Sequence, residues 1–542
     1  MNSAPVLSVR DVSIALPASG ERAYAVRNIS LDVYPGETLC IVGESGSGKS
    51  VTAYAVMRLL PKMMRLESGA IFFRGRNILN LSMADVRALR GNAVSMIFQE
   101  PMTALNPSFT IGNQLREMYS RRPKPGDPKG PPQRAASILE LLEMVRLPDP
   151  ARLLGAYPHQ LSGGQRQRVM IAMAMALQPA LLIADEPTTS LDVTTQARIL
   201  DIFRDLRENN DTAIIFVTHD FGVVAEIAER IVVMEKGAIV ETGTAGQVLN
   251  TPRHAYTRKL IAAIPRMRAE KKALAPGAGT VLKADGIGKT FYTRRGLTRR
   301  LYTVAAVKDV SFHLKKSEAL AIVGESGSGK TTLARCLMRL LETDAGTLKI
   351  NGVDFMALRG DSLVRHRRAI QIVFQDPYSS LNPRKTIRDT LLQGPANFGV
   401  PGPQALARAR QLLRTVQLDE NALNRYPNQF SGGQRQRICI ARALMLSPDI
   451  LVADEAVSAL DVSVQSEVLK LLDDIRNRTG LTLLFVTHDL RVASQVCDRV
   501  LVMKDGGVVE HGPVSEVFNA PRHPYTQTLL AAIPGRHWRS LS

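Results

Sequence analysis

Two short segments place a lysine and a hydroxyl at the end of a glycine-rich run: Gly43 to Ser50 reads GESGSGKS, and Gly324 to Thr331 reads GESGSGKT. Both fit G-x-x-x-x-G-K-[ST], and each lies between a β-rich run, "TLCIV" or "ALAIV", and a helical pattern, "VTAYAVMRLL" or "TLARCLMRLL". Such a turn lets backbone amides curl round phosphate oxygens, and the helix start adds a positive dipole. The expected nucleotide contacts are Gly43, Ser45, Gly46, Gly48, Lys49, Ser50 and Val51 in the first copy. Gly324, Ser326, Gly327, Gly329, Lys330, Thr331 and Thr332 are their counterparts in the second. Lys49 and Lys330 would reach the β and γ phosphates of a bound nucleotide, and Ser50 and Thr331 would coordinate Mg2+.

A second constellation lies downstream of each loop. Asp185 and Glu186 end the apolar run "ALLIADE", and Asp454 and Glu455 end "ILVADE". Two carboxylates at the C-terminal edge of a strand stand where α/β sheets bind ligands. The aspartate can hold the metal through water and the glutamate can polarise the attacking water, since phosphoryl transfer needs mainly positioning and charge stabilisation.

The elements that must position these groups are themselves repeated. "CIVGESGSGKS" from Cys40 returns from Ala321, "MIFQEPMTALNP" from Met96 returns as "IVFQDPYSSLNP" from Ile372, and "YPHQLSGGQRQR" from Tyr157 as "YPNQFSGGQRQR" from Tyr426. "IIFVTHD" from Ile214 pairs with "LLFVTHD" from Leu483, and the ends "PRHAYTRKLIAAIP" and "PRHPYTQTLLAAIP" close each half. The division expected is 1–265, a short Gly/Ala/Pro-containing linker 266–280, and 281–542. Near-continuous apolar runs predict strands buried on both faces of a mainly parallel sheet, so each half is α/β. "RIVVMEKGAIVETG" and "RVLVMKDGGVVEHG" predict hairpins about Lys-Gly and Asp-Gly turns.

Composition narrows the class. The 542 residues are 45% hydrophobic and 22% charged, the balance of a folded globular chain. No stretch approaches the roughly 20 apolar residues of a membrane span, and the N-terminus lacks a leader pattern, so a cytoplasmic protein is expected. Cys40, Cys336, Cys439 and Cys497 form no CxxC pair and read as buried thiols. The net charge of +19 suits nucleic acid, an anionic membrane face or nucleotide phosphates alike. Its clusters are the basic Pro-rich loop from Arg121 to Gln133, the run from Arg266, and Arg294, Arg295, Arg299 and Arg300. Such runs usually lie on solvated faces.

"LSGGQ" at Leu161 to Gln165 and "FSGGQ" at Phe430 to Gln434 resemble the signature that separates ABC ATPases from other phosphate-loop NTPases, and the resemblance covers nearly the whole chain. It implies two tandem ABC-type nucleotide-binding domains, each with a RecA-like core, an antiparallel β subdomain and a helical signature subdomain. It assigns Ser162, Gly163, Gly164, Gln165, Ser431, Gly432, Gly433 and Gln434 to nucleotide binding. Gln99 and Gln375 resemble the Q-loop glutamines, which implies metal-holding and catalytic roles for them; Asp192 and Asp461 the D-loop aspartates; His219 and His488 the switch histidines, with a catalytic role. In that family the signature of one half meets the γ phosphate held by the other. Lys49, Asp185, Glu186 and His219 would then share ATP with Ser431 and Gly433, and Lys330, Asp454, Glu455 and His488 with Ser162 and Gly164. Glu186 and Glu455 are both present, so two hydrolytic sites are expected. The second half departs by Ala456 where the first has Pro187. For the adenine-stacking aromatic, Tyr24 and Tyr292 are chosen over Leu16 and Phe291.

The tails and "FQEPMTALNP" are similar to the dipeptide, oligopeptide and nickel importer family, whose fused two-domain members energise uptake of glutathione and peptides. That resemblance implies two integral-membrane permeases, a periplasmic solute-binding protein and a peripheral place on the cytoplasmic face of the bacterial inner membrane. Nucleic acid is not expected as a partner. Neither tail carries the cysteines that bind an iron-sulfur cluster in some members, so no cluster is expected. Substrate choice belongs to the partner proteins, leaving glutathione, dipeptides and oligopeptides open. The alternative is a ribosome-associated translation factor with two fused ABC domains. Those resemble domains joined by a long charged helical arm, whereas 266–280 is short. A DNA-repair ATPase would need large insertions, which are absent.

Overall fold

The computed structural model describes all residues except 1–3, 18–21, 100–103, 121–130, 190, 268–278, 296–299, 459 and 539–542. Most of the basic loop from Arg121, most of the expected linker 266–280, and Arg299 therefore lie outside the described residues. The chain divides into two compact units. Unit 1 comprises Met1–Leu191, Thr195–Ile264 and Ile533–Ser542; unit 2 comprises Asp192–Thr194 and Pro265–Ala532.

In unit 1, β1 (Leu7–Ala15), β2 (Tyr24–Val33), β4 (Arg65–Phe73) and β5 (Arg76–Asn77) form an antiparallel sheet in the order β2-β1-β4-β5. The second sheet contains β3 (Thr38–Val42), β6 (Val94–Ile97), β7 (Leu181–Asp185), β8 (Ala213–Thr218), β9 (Arg230–Glu235) and β10 (Ala238–Thr244). Its order is β10-β9-β3-β8-β7-β6, parallel except for the β10 edge. Every residue of β3, β7 and β8 is buried. Because strand side chains alternate, the two faces feed separate cores. Leu39, Ile41, Leu181, Ile183 and Ile215 face the core beneath the antiparallel sheet, whereas Cys40, Val42, Leu182, Ala184 and Phe216 face the helical core.

Unit 2 repeats this plan. β11 (Thr280–Arg295), β12 (Arg300–Lys315), β14 (Ala345–Ile350) and β15 (Val353–Asp354) form the antiparallel sheet β12-β11-β14-β15. β13 (Ala319–Val323), β16 (Ile370–Val373), β17 (Ile450–Asp454), β18 (Thr482–Thr487), β19 (Arg499–Lys504) and β20 (Gly507–Pro513) form the order β16-β17-β18-β13-β19-β20. The two expected hairpins form as β9–β10 and β19–β20. Their turns place Lys236 and Gly237, and Asp505 and Gly506, at positive φ, which matches the twist of paired strands.

In each unit the phosphate-loop glycines, the carboxylate pair, the histidine and the glutamine follow neighbouring strands of one parallel sheet. All four therefore collect at its C-terminal edge, where such sheets bind ligands. No helix among the described residues is long and apolar enough to cross a membrane, and all four cysteines are buried and free.

The last described residues belong to unit 1. The Trp538 indole packs on the helical core of that unit and its Nε1 donates to Asn250 Oδ1 at 3.0 Å. The Gly535 N–H donates to Glu226 Oε1 at 3.0 Å. Gly535 has φ 73°, and a Cβ there would stand 2.8 Å from the Gly222 Cα, so the close approach requires glycine. Replacing the partly buried indole by alanine should cost unit 1 about 1–3 kcal/mol, below the full core-tryptophan value because one side is solvated. Urea unfolding of the W538A chain followed by circular dichroism checks this; an unshifted first transition would show that the tail contributes no stability.

Candidate functional site

The two phosphate loops have nearly the same backbone. Gly43, Gly46 and Gly48 lie at φ 154°, 75° and 103°, and Gly324, Gly327 and Gly329 at 151°, 85° and 103°. Substitution is barred on two counts at the loop ends. A Cβ on Gly43 would meet the Met234 carbonyl oxygen at 2.3 Å, and one on Gly48 the Ala25 carbonyl oxygen at 2.7 Å. The lysines point back across the loop. Lys49 Nζ donates to the carbonyls of Gly43 and Glu44 at 2.7 and 2.9 Å, and Lys330 Nζ to those of Gly324 and Glu325, both at 2.8 Å. Each lysine is held by the carbonyls of its own glycine-rich turn, the kind of turn that receives an anion.

The carboxylates of each pair take different surroundings. Ser50 Oγ donates to Asp185 Oδ1 at 2.9 Å and Thr331 Oγ1 to Asp454 Oδ1 at 3.1 Å. Asp185 Oδ2 is buried without a geometric hydrogen bond, with Tyr54 as its polar neighbour. A hydroxyl beside a carboxylate with a spare oxygen fits Mg2+, which takes one or two protein oxygens and fills its other positions with water and phosphate. At the next residue the chain turns. Glu186 and Glu455 both lie at φ 47°, while their N–H groups donate to Val217 and Val486 oxygens at 2.9 Å. Ala456 in place of Pro187 leaves this turn unchanged, so the bond to the adjacent strand sets it rather than the proline.

The glutamates are where the other expected residues converge. Gln99 Nε2 donates to Glu186 Oε2 at 3.1 Å, and His219 Nδ1 stands 3.2 Å from its Oε1. In unit 2, Gln375 Nε2 donates to Glu455 Oε2 at 2.7 Å and His488 Nδ1 stands 3.3 Å from Oε1. The glutamines expected at the metal are thus bonded to the glutamates, whereas Ser50 and Thr331 bond to the aspartates.

These contacts separate the acidities of adjacent carboxyls. Burial raises Asp185 to about 6 against the opposing bond from Ser50, and burial also raises Asp454. Burial acts on Glu186 in the same sense, but the bond and charge of His219 together with Lys49 overcome it and hold the carboxyl at about 2. Glu455 is likewise lowered, with His488 and Lys330 outweighing burial. His488 in turn is raised despite its burial, through its bond to Glu455. The glutamates are therefore carboxylates at neutral pH, able to accept a hydrogen bond from water.

The signature residues start helices Gly163–Met175 and Gly432–Leu444. Ser162 Oγ accepts from the Gln165 N–H and Gln165 Oε1 accepts from the Ser162 N–H, and Ser431 with Gln434 does the same. The reciprocal cap occupies the glutamine side chains and leaves Gly163 in open space. Gly164 and Gly433 must be glycine, since a Cβ would meet Thr195 Cγ2 at 2.5 Å or Val464 Cγ1 at 2.3 Å. Of the aromatics chosen for adenine, Tyr24 is tied through its hydroxyl to Glu67 Oε2 at 3.0 Å, and Tyr292 is 66% exposed at the protein surface.

Three neighbours of the phosphate loops escaped sequence reasoning. Arg22 Nη2 donates to the Gly46 carbonyl at 3.0 Å. The hairpin turn donates from Gly237 N to Ser47 O at 2.9 Å, as Gly506 N does to Ser328 O at 3.1 Å. The Tyr256 and Tyr525 hydroxyls accept from the Glu44 and Glu325 amides at 3.1 and 3.0 Å. Only the Lys-Gly and Asp-Gly turn residues carried a local signal, and that signal indicated a hairpin, not its neighbour.

Comparison with known proteins identifies the family. A model of the ABC transporter family matches residues 26–189 and 307–458, and one of the oligopeptide/dipeptide transporter C-terminal region matches 240–300 and 509–540. The chain is 45% identical over 570 residues to the glutathione import ATP-binding protein GsiA of Escherichia coli O157:H7, spanning 98% of this chain and 90% of that protein. Its identity to the protein of the same name from Salmonella choleraesuis (strain SC-B67) is 44% over 566 residues, with the same shares. Among solved structures, the dimeric bacterial ABC transporter cassette MJ0796 matches 43% of this chain and 98% of its own, at 30% identity and a TM-score of 0.38. With two tandem cassettes, each followed by an importer-type C-terminal region, the chain belongs to the ABC transporter family as an importer ATPase subunit.

Proposed function

We propose that Lys49 and Lys330 bind the phosphates of ATP, that Glu186 and Glu455 orient the attacking water, and that hydrolysis drives uptake of glutathione or a short peptide. The observation that carries the reading is the convergence, in both units, of a glutamine and a histidine on one ionised glutamate at the edge of a phosphate loop. Phosphoryl transfer asks the protein mainly for position and charge. Lys49 stands ready to exchange its two carbonyl partners for β and γ oxygens. Gln99 and His219 fix the Glu186 carboxylate, which accepts a hydrogen bond from the water and aligns it with the γ phosphorus. Held below the usual carboxylate range by His219 and Lys49 against its burial, Glu186 is a carboxylate that orients and polarises the water.

Ser50 with Asp185, and Thr331 with Asp454, are the groups that would hold Mg2+, which supplies charge neutralisation at the β and γ oxygens. The signature helices offer further amides to phosphate through their exposed N-termini. Tyr24 and Tyr292 are the proposed adenine contacts.

The solute assignment rests on the relatives named for glutathione import, and the partners follow from it. Two membrane-spanning permeases and a periplasmic binding protein complete the machine, with this chain peripheral on the cytoplasmic face of the inner membrane. Affinity purification of the tagged chain from detergent-solubilised membranes should recover the permeases. Recovery with ribosomes after a high-salt wash would instead favour the translation-factor alternative.

Changing both Glu186 and Glu455 to Gln should leave ATP affinity within about twofold and lower hydrolysis by about 10²–10⁴-fold, the span of a positioned acid–base group. Sustained turnover by that variant would refute the assignment. Lys49→Ala with Lys330→Ala should instead weaken ATP binding about 10–100-fold, since a charged hydrogen-bond donor is lost.

Acid should act through the metal. With Asp185 at about 6, a proton competes with Mg2+ below that pH, so the carboxylate is available at pH 7.5 and largely protonated at pH 5. The Mg2+ concentration for half-maximal ATPase should therefore rise about tenfold from pH 7.5 to pH 5. A flat Mg2+ requirement over that range would place the cation elsewhere.

A further inference from the structure

In both units the importer-type C-terminal region sends one tyrosine into the phosphate loop. Tyr256 lies on helix Ala255–Ala262 and Tyr525 on helix Pro524–Ala531. Their rings are 8% and 7% exposed. Each hydroxyl accepts from the amide of the residue after the first loop glycine, Glu44 at 3.1 Å and Glu325 at 3.0 Å. That same residue's carbonyl is one of the two that hold the loop lysine. The tyrosine and the lysine therefore grip one residue by its N–H and its C=O.

The tyrosine is placed by a relay that is also duplicated. Glu241 accepts from the Arg253 and His254 amides at 2.7 and 3.1 Å, and Glu510 from those of Arg522 and His523 at 2.8 and 3.2 Å. His254 Nδ1 then caps the helix by accepting from the Tyr256 N–H at 3.2 Å, and His523 Nδ1 from the Tyr525 N–H at 3.1 Å. A carboxylate on β10 or β20 thus sets the helix start, and the helix start sets the tyrosine. A buried tyrosine needs some partner for its hydroxyl, and core packing alone would accept any. Here both copies choose the same loop amide.

We propose that Tyr256 and Tyr525 are positioning residues for ATP, through which the C-terminal region of each half holds the outer edge of its phosphate loop so that the remaining amides face the phosphates. The inference rests on the reading of these loops as ATP sites. Burial, followed by the Glu44 or Glu325 charge, pushes both phenols well above the usual tyrosine range, so they stay neutral and remain hydrogen-bonding hydroxyls at any working pH.

Tyr256→Phe with Tyr525→Phe keeps the buried ring and removes only the hydroxyl. In the transporter assembled with its permeases, KM for ATP should rise about 3–10-fold, the effect of one neutral hydrogen bond, while kcat changes less than twofold. Residue-resolved hydrogen exchange of the wild-type chain provides the second readout. The Glu44 and Glu325 amides should exchange at least about tenfold more slowly than the amide of the exposed Gly46, and lose that protection in the variant. Unchanged KM in the variant, a parallel loss of kcat and thermal stability, or wild-type Glu44 exchange as fast as Gly46 would each overturn the proposal. The Lys49→Ala, Lys330→Ala chain is run alongside with a fluorescent ATP analogue. Retained affinity there would sink the phosphate-loop reading itself, whereas lost affinity there with an unaffected tyrosine variant would sink only this inference.

Discussion

A straight strand sends consecutive side chains to opposite faces, so two adjacent carboxylates on it cannot serve one site. The left-handed turn at Glu186 and Glu455 removes that obstacle. A glutamate at φ 47° costs on the order of 1 kcal/mol and persists only where its surroundings over-determine it. Here the backbone bond to the neighbouring strand does so, and the carboxylate is then clasped by glutamine on one oxygen and approached by histidine at the other. Nearly everything else in the site answers to that turn. The aspartate stays in the strand beside the loop hydroxyl, and the glutamate swings to meet residues from two other strand ends. Neighbours in sequence thereby part in acidity, the aspartates held above the usual carboxylate range and the glutamates below it.

A second constraint is the absence of space. The backbone carbonyl of Met234 lies against Gly43 and that of Ala25 against Gly48 and Gly237. The phosphate loop is therefore wedged between the antiparallel sheet, which supplies Ala25, and the last hairpin of the parallel sheet. Its conformation is a property of three segments distant in sequence. The importer tail adds a fourth through its tyrosine.

This explains what could be read from the chain and what could not. Asp185, Glu186 and His219 are legible because each sits within a residue of a strand end, and Lys49 and Ser50 because they open the helix that follows the glycine turn; short-range geometry fixes where such positions point. The β9–β10 and β19–β20 hairpins are legible for the same reason, as their turn residues carry the positive φ themselves. Arg22 on Gly46, Gly237 on Ser47 and Tyr256 on Glu44 are contacts across folded distance, and no local pattern marks them. The bond from Gln99 to Glu186 is intermediate. The motif pointed to a glutamine near the chemistry, but which atom it would touch depends on how far the glutamate turns. Tyr24 and Tyr292 show the limit in the other direction, because an aromatic near a loop is common and only its partner distinguishes one from another.

The membership of Ile533–Ser542 in unit 1 bears on how the molecule is made. A ribosome completes residues up to Ile264 and must then produce 265–532 before the segment that carries Trp538 emerges. At about 5–20 residues per second this is an interval of roughly a quarter of a minute to a minute. Throughout it the helical core of the first unit lacks its indole cover, and the Asn250 and Glu226 side chains lack their tail partners. The nascent chain therefore passes through a long-lived partly finished state, in which a patch normally sealed by the last residues is open to chaperones, proteases or a second nascent copy.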